Sequence, residues 1–535
     1  RDPTMTLAAI QAETKTTGAQ AAPWPALNPL ITAAEMFPAL EQLVLDARAE
    51  VLLAFRIFDA RTGLRSHAAQ SLGLKTWADL FAHVAERDVT IRLLLADFDP
   101  VFTADLHHDA WISAGRFAAR VTDHPNAEII CSLHDCTPAP IWGRVFGPQI
   151  RKRLEKLRNT PQEHLTALQL QALNGRHRLR PVTLHQKFAV ADGTRAIIGG
   201  IDVDERRWDD HDHDQSPDQT WHDVSMQVSG PITHELRRHF ACCWDRARVG
   251  CGTVFSARAT VLRPLPVPVA EAPASTGSDG DRLSPPAPRL LRTVSTHGTG
   301  PLHFGPVTEV KEHEDTLLKA FTEAERSVYI ETQFFRHLPL ARALAARARE
   351  VPDLQMTLVI PTEPERVIFD RASGTDARHA QALQLRCFGI LRRAFGDRLA
   401  IVSPVQPRPA DPHTPMPVKG AGIIYLHSKV TLIDERIGIV GSANLNGRSL
   451  LWDTEASVLF QDPAAIRHLR QRLATKWLGR QVSDADSQLA ATWFSTAKSA
   501  SELRPEDRDA MILPYPAARN RRFASYIPIL PSAMF

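Results

Sequence analysis

Two stretches decide the reading of this chain. The first is Leu184-His185-Gln186-Lys187-Phe188-Ala189-Val190-Ala191-Asp192-Gly193, followed by Ile198-Gly199-Gly200-Ile201-Asp202. The second is Leu426-His427-Ser428-Lys429-Val430-Thr431-Leu432-Ile433-Asp434-Glu435, followed by Val440-Gly441-Ser442-Ala443-Asn444. His, Lys and Asp recur at an offset of 242 residues, and so do Gly199/Gly441, Asp202/Asn444 and Arg206/Arg448. Chance predicts far fewer than one H-x-K-x4-D match in a chain with 22 His, so two matches in one register mark an internal repeat. Lysine is scarce here, and its place in both copies carries weight.

In each copy His and Lys stand two apart on a predicted strand, so both face one side while Gln186 or Ser428 faces the other. The Gly-rich segment can bring backbone close to a ligand. If the halves pack as a pseudo-dimer, the two His-Lys pairs meet across an interface. Phosphodiester chemistry has use for such a set. Two lysines can clamp the non-bridging oxygens. One imidazole can attack phosphorus, and the other can protonate the leaving alcohol and then activate water. On residues alone the two copies are equivalent.

Working outward, residues 51–58 and 89–97 read as buried strands with a helix over 71–87 between them, the signature of a covered α/β sheet. Residues 148–175 read as helical. The pattern returns as a strand at 327–335, a helix at 338–350 and a strand at 355–360. Residues 262–290 are dense in Pro, Ala, Ser and Gly and read as a linker. A second Pro-rich stretch, 404–417, reads as a rim loop before a strand at 422–426. The expected divisions are an N-terminal extension at 1–45, a first lobe at 46–255, a linker at 256–304, a second lobe at 305–480 and a tail at 481–535.

The bulk numbers fit a globular enzyme. The 535 residues are 44 % hydrophobic and 23 % charged, with core enough to fold. The net charge of +3 implies no whole-molecule grip on nucleic acid, and none is expected as a partner. The six cysteines form no paired zinc pattern and read as reduced, mostly buried thiols; the Cys131–Cys136 stretch reads as an ordinary loop. The run Asp209-Asp210-His211-Asp212-His213-Asp214 reads as a solvated loop rather than a metal site. No run of 18 apolar residues is present, so no spanning helix is expected. Arg1-Asp2-Pro3-Thr4 reads as an appended leader before a native Met5, with no classical signal after it. The chain is expected to be a soluble or peripheral monomer, cytoplasmic or exported by a non-classical route.

The two motifs resemble the paired HKD signatures of the phospholipase D superfamily. The likeness extends to Arg206-Arg207-Trp208-Asp209, to Thr220-Trp221-His222-Asp223-Val224 and to Tyr329-Ile330-Glu331-Thr332-Gln333-Phe334-Phe335. It also takes in Asn444-Leu445-Asn446, Arg448-Ser449 and Asp453-Thr454-Glu455. In pattern it is nearest to eukaryotic-type enzymes without their accessory lipid-binding domains.

The resemblance implies an α/β fold of two pseudo-two-fold related sandwich lobes sharing one active site. It implies a catalytic signature of His185, Lys187, Asp192, His427, Lys429 and Asp434, in which the two aspartates hold loop architecture rather than touch substrate. His185 would be the nucleophile and His427 the general acid. Asp223 would support the histidine of the first half and Glu455 that of the second. Lys187, Lys429 and Asn444 would bind phosphate. Asp202 stands where simpler members carry Asn, and a carboxylate repels phosphate unless protonated, salt-bridged or metal-bound.

The implied activity is hydrolysis of phosphatidylcholine-like lipids at a membrane surface to phosphatidate and a free head group, with alcohol or water as acceptor. No cofactor or metal is required, with divalent-cation stimulation left open. Cardiolipin synthase-like phosphatidyl transfer and HKD endonuclease action are the alternatives. The segments expected to meet lipid are Ile141-Trp142…Val145-Phe146 and the 404–417 stretch.

Overall fold

The computed structural model describes residues 24–216, 219–255, 285–369, 371–528 and 532–535. The reading of residues 1–5 and of most of the linker, 262–284, lies outside the described residues.

Among the described residues the first lobe has nine strands: β1 (Leu27–Ile31), β2 (Glu50–Phe55), β3 (Thr90–Ala96), β4 (Ala127–Ser132), β5 (Phe188–Ala191), β6 (Arg195–Gly199), β7 (Trp221–His222), β8 (Val224–Ser229) and β9 (Gly252–Val254). The rest of the chain adds β10 (Arg289–Thr296), β11 (Val307–Lys311), β12 (Ser327–Glu331), β13 (Gln355–Val359), β14 (Leu399–Pro409), β15 (Ala421–Ile423), β16 (Tyr425–Leu426), β17 (Val430–Ile433), β18 (Ile437–Gly441), β19 (Glu455–Phe460) and β20 (Ile512–Pro514).

One sheet runs β1-β8-β6-β5-β2-β3-β4-β9 and the other β11-β10-β19-β18-β17-β12-β13-β14-β15, with β20 also on β14. Each is mixed in the same way. β2-β3-β4 and β12-β13-β14 are parallel, while β2 and β12 pair antiparallel to β5 and β17. The strands are near-continuous apolar runs because helices cover them, as parallel sheets require. β6 and β8 lie against β18 and β19, and one hydrophobic core holds residues of both lobes, from Leu52 and Phe188 to Val430 and Val458. The two repeats are thus α/β lobes joined through a common core.

The lobes are larger than the sequence divisions. β1 pairs with β8, so the first lobe reaches below residue 46. β10 pairs with β19, which takes the end of the expected linker into the second lobe. β20 pairs with β14, so the tail after 481 is sheet wall. β1 and β20 are short edge additions that carry little periodic signal, whereas β10 is flanked by β11 and β19.

Other differences are local. Gly73, at φ 74°, breaks the expected 71–87 helix, and a Thr76/Asp79 capping box restarts it as Trp77–Ala85. The 148–175 helix ends at Arg158 before Pro161 and restarts at Ala167. The strand from 327 stops at Glu331, which frees Gln333 to turn toward the interface. The expected rim loop at 404–417 is strand up to Pro409, pinned between β15 and β20. The six cysteines are free, four of them buried. Among the described residues no helix is long and apolar enough to cross a membrane.

Candidate active site

His185 and Lys187 lie on the approach to β5, and His427 and Lys429 on the approach to β17. Each approach leaves its own sheet and docks on the opposite lobe. His185 N donates to Thr454 O at 2.9 Å, and His427 N donates to His222 O at 2.8 Å. β16, just before His427, pairs in parallel with β7, just before Asp223; Leu184 bridges Thr454 in the same sense. Both motifs are therefore fixed by the interface itself. The intervening side chains point away as expected. Gln186 accepts from His239 at 2.6 Å, and Ser428 donates to the buried Glu331 at 2.6 Å.

The supporting acids are crossed between the lobes, which corrects their expected assignment. Asp223 belongs to the first lobe and meets Nδ1 of His427 at 2.6 Å. Glu455 belongs to the second and meets Nδ1 of His185 at 3.0 Å. The reason is the backbone exchange just described, since each motif strand lies beside the other lobe's acid. A carboxylate on Nδ1 fixes the tautomer and leaves Nε2 for chemistry.

Burial governs the charges. It depresses both imidazoles well below their ordinary range, and the lysines add to the effect: Lys187 and Lys429 act on His185 as well as on His427. Both ammonium groups thus bear on both imidazoles, as one shared site requires. Burial also pushes Asp223 up to about 7 and Glu455 up to about 8, and lowers Lys429 to about 7. Each lysine folds onto the carbonyl of its own histidine, Lys187 Nζ at 2.6 Å from His185 O.

Asp192 and Asp434 sit apart from this cluster and do not belong with the catalytic set. Asp192 accepts from the backbone N–H of Arg48, Ala49 and Glu50; Asp434 accepts from Glu325, Arg326 and Ser327. Both have positive φ, 53° and 55°, a conformation that aspartate tolerates in tight turns. They cap the start of β2 and β12 at the far end of the motif strand.

The glycines also have a different task from the one expected. A Cβ on Gly199 would stand 2.5 Å from Ser225 Cα, one on Gly441 would stand 2.4 Å from Ser457 Cα, and one on Gly200 would meet Asp223 Oδ1 at 2.2 Å. They admit the neighbouring strand and the supporting acid rather than a ligand. The 209–214 run is likewise not simply solvated. Asp209 and His213 are fully buried and paired at 2.6 Å, with Asp209 also accepting from Trp221 N. Among the described residues no group of three His, Cys, Asp or Glu is arranged to hold a metal.

Asn444 is buried and donates to Gln333 Oε1 at 3.3 Å, while its own Oδ1 has no hydrogen-bond partner among the described residues. Its counterpart Asp202 is salt-bridged: one oxygen accepts from Ile57 N at 2.9 Å, and the other lies 3.8 Å from Lys187 Nζ and 3.9 Å from Arg207 Nε. The motif reading missed Arg56, whose charge bears on His185, and gave no role to Arg207, which lies over Trp221 and bears on His427. Extending the internal repeat back into β2 and β12 would have found Arg56.

A family profile described as "Cardiolipin synthase, PLD-like domain" matches residues 317–477. The chain is 25 % identical to phospholipase D1 of Saccharomyces cerevisiae over 389 residues, which cover 56 % of this chain and 22 % of that protein. It is 24 % identical to cardiolipin synthase A of Pseudomonas fluorescens over 306 residues, covering 57 % and 50 %. The chain spans half or less of the length of these curated relatives. In structure it is similar to phosphatidylserine synthase of Haemophilus influenzae, with a TM-score of 0.47 at 12 % identity over 84 % of this chain and 85 % of that one. The profile covers the second lobe alone, but the first lobe repeats its motif in register and completes its site by the same crossed contacts. On that ground the chain belongs to the phospholipase D superfamily.

Proposed function

We propose that this protein is a phospholipase D-type phosphodiesterase. In this reading it converts glycerophospholipids such as phosphatidylcholine to phosphatidate and a free head group, with water or an alcohol as acceptor. The observation that carries the reading is the pair of imidazoles, His427 buried and His185 partly so, each held through Nδ1 by the opposite lobe's acid and each under the influence of both lysines.

The chemistry follows from that arrangement. Nε2 of His185 attacks phosphorus as the bond to the leaving oxygen breaks; the His427–Asp223 pair, which can hold a proton because burial raises the Asp223 carboxyl to about 7, delivers one from His427 Nε2 to that oxygen as Nδ1 takes the carboxyl proton. His427 then takes a proton from the incoming water or alcohol. The new P–O bond forms, the P–N bond breaks, and its electron pair returns to His185. Lys187, Lys429 and Asn444 hold the phosphoryl oxygens while charge shifts among them. Depressed histidine basicity suits the first step, because a neutral imidazole carries the lone pair that attacks. His185 has the more exposed side chain of the two, 12 % against 4 % for His427, which favours it as the nucleophile. No step is routed through a metal.

A second reading is phosphatidyl transfer between lipids of the cardiolipin synthase kind, favoured by the description of the matching profile. Incubation with a defined phospholipid mixture, with and without a primary alcohol, followed by mass analysis of products, tests both. Phosphatidate and free choline support the first. Lipid-to-lipid transfer without phosphatidate supports the second. No turnover of any phospholipid overturns both.

A further inference from the structure

The two halves of the site differ at one pair of corresponding positions. β2 and β12 match at an offset of 277 residues. Asp192 caps Glu50 N as Asp434 caps Ser327 N, and Phe58 bridges Val203 as Phe335 bridges Leu445. On that register Arg56 is the counterpart of Gln333, just as Asp202 is the counterpart of Asn444. In the second half both residues are neutral amides bonded to each other. In the first half both carry charge.

The charges of the first half do not pair off evenly. Asp202 faces Lys187 and Arg207, and Arg207 is also bridged to Asp204. In the second half Arg448 is held by Asp453 at 2.7 Å. For the Arg56 guanidinium no ion pair or hydrogen bond is present among the described residues. Its Nε is buried without a partner, and its Cζ lies 5.2 Å over the Phe98 ring. The charge nonetheless bears on His185, lowering its basicity. An ionised carboxylate can only accept hydrogen bonds, so Asp202 has nothing to offer a phosphate oxygen, whereas a guanidinium offers five donors.

We infer that Arg56 makes the phosphate-oxygen contact of the first half that Asn444 makes in the second. Asp202 is retained to fix the end of β2 through Ile57 N and so to aim Arg56. The ligand is a phosphate oxyanion, whether free or within an ester. The inference rests on the proposed function, which puts a phosphoryl group between the two histidines.

The test uses inorganic phosphate as the probe. A structure of the wild-type protein with phosphate bound should place an Arg56 nitrogen within about 3.2 Å of an oxyanion oxygen. By calorimetric titration Arg56→Gln should weaken phosphate binding about 10- to 100-fold, the range of a charge-assisted hydrogen bond. The same loss should persist in an Asp202→Asn background, where the charge is gone and the amide oxygen still accepts from Ile57 N. If the loss vanishes once residue 202 is uncharged, or the guanidinium stays beyond hydrogen-bond reach of bound phosphate, Arg56 is only a counter-ion and the inference fails. Should Asp202→Asn not fold, the phosphate-bound wild-type structure decides alone. Phosphate binding requires no turnover. A protein that grips phosphate through Arg56 and cleaves no phospholipid would overturn the proposed activity and leave this assignment standing.

Discussion

Glu455 lies in the second lobe, yet its carboxylate holds the imidazole of His185 in the first, 3.0 Å from Nδ1. Asp223 returns the arrangement to His427 at 2.6 Å. A lobe alone therefore has a histidine without its acid. Catalysis on this account needs both lobes docked.

Glu455→Gln should lower turnover by about 10²- to 10⁴-fold, the range of a lost acid–base partner. It should also change stability with pH in a definite direction. Burial raises the Glu455 carboxyl to about 8, so the folded protein binds that proton more tightly than the unfolded chain. The stabilisation from that proton is fully present below the ordinary carboxyl range and is lost as pH rises through about 8. Glutamine does not ionise and escapes the loss. The variant's melting midpoint should exceed that of wild type at pH 8.5, and the gap should shrink toward pH 5. A gap that grows on acidification would contradict the assignment.

Gly200→Ala should disarm His427 without touching it. The new methyl would stand 2.2 Å from Asp223 Oδ1, so the carboxylate must swing away. Turnover should fall at least tenfold at saturating substrate with KM little changed, because the acid–base partner is misplaced and the phosphate ligands are not. Unchanged turnover would show that Asp223 can move without consequence.

Asp192→Ala and Asp434→Ala should be faults of folding rather than of chemistry. Each removes a carboxylate that accepts from three backbone N–H groups and leaves a left-handed residue without its turn. Each should cost about 2–4 kcal/mol in chemical denaturation, the toll of several orphaned donors, while protein that remains folded keeps its turnover number. A stable but inactive variant would return these residues to the catalytic set.

These contrasts mark what was legible in the sequence. The repeat at 242 residues gave the two lobes and the four His and Lys positions, because chemistry at a shared interface demands the same residues twice. The apolar runs at 51–58 and 355–360 gave the central strands, because strands covered on both faces are written as continuous hydrophobic stretches. Motif spacing within one lobe cannot tell which acid meets which histidine, and there the crossing of Asp223 and Glu455 went unseen. β1 and β20 are short edge strands, and β10 lies between β11 and β19; the place of each depends on a distant partner. Gly73 and the Thr76/Asp79 capping box were readable as a helix break. Arg56 was hidden because the repeat was followed only forward from the histidines.

Lipid contact is expected at the helix Pro140–Val145, which buries none of its side chains. Ile141 and Val145 share one face and are 40 % and 56 % exposed. Leu302, 66 % exposed, adjoins them through the Trp142 Nε1 bond to its carbonyl. The next helix, Gly147–Arg158, adds Arg151, Lys152, Arg153, Lys156 and Arg158, suited to an anionic surface. Val145→Asp with Leu302→Asp should slow turnover of vesicle lipid at least fivefold and leave a soluble short-chain phosphodiester unaffected. Equal losses on both substrates would place this surface in the fold rather than at the membrane.

The division of labour between the two histidines is the centre of the account. The deciding measurement is rapid mixing with an activated aryl phosphodiester, followed by intact-protein mass determination, on wild type, His185→Ala and His427→Ala. His427→Ala should accumulate a covalent phosphoryl adduct. His185 can still expel a leaving group that needs little protonation, and nothing remains to activate water for its release. His185→Ala should show no adduct at any time. The reverse pattern would exchange the two roles, and no adduct on any of the three proteins, with wild-type turnover intact, would contradict the covalent mechanism outright.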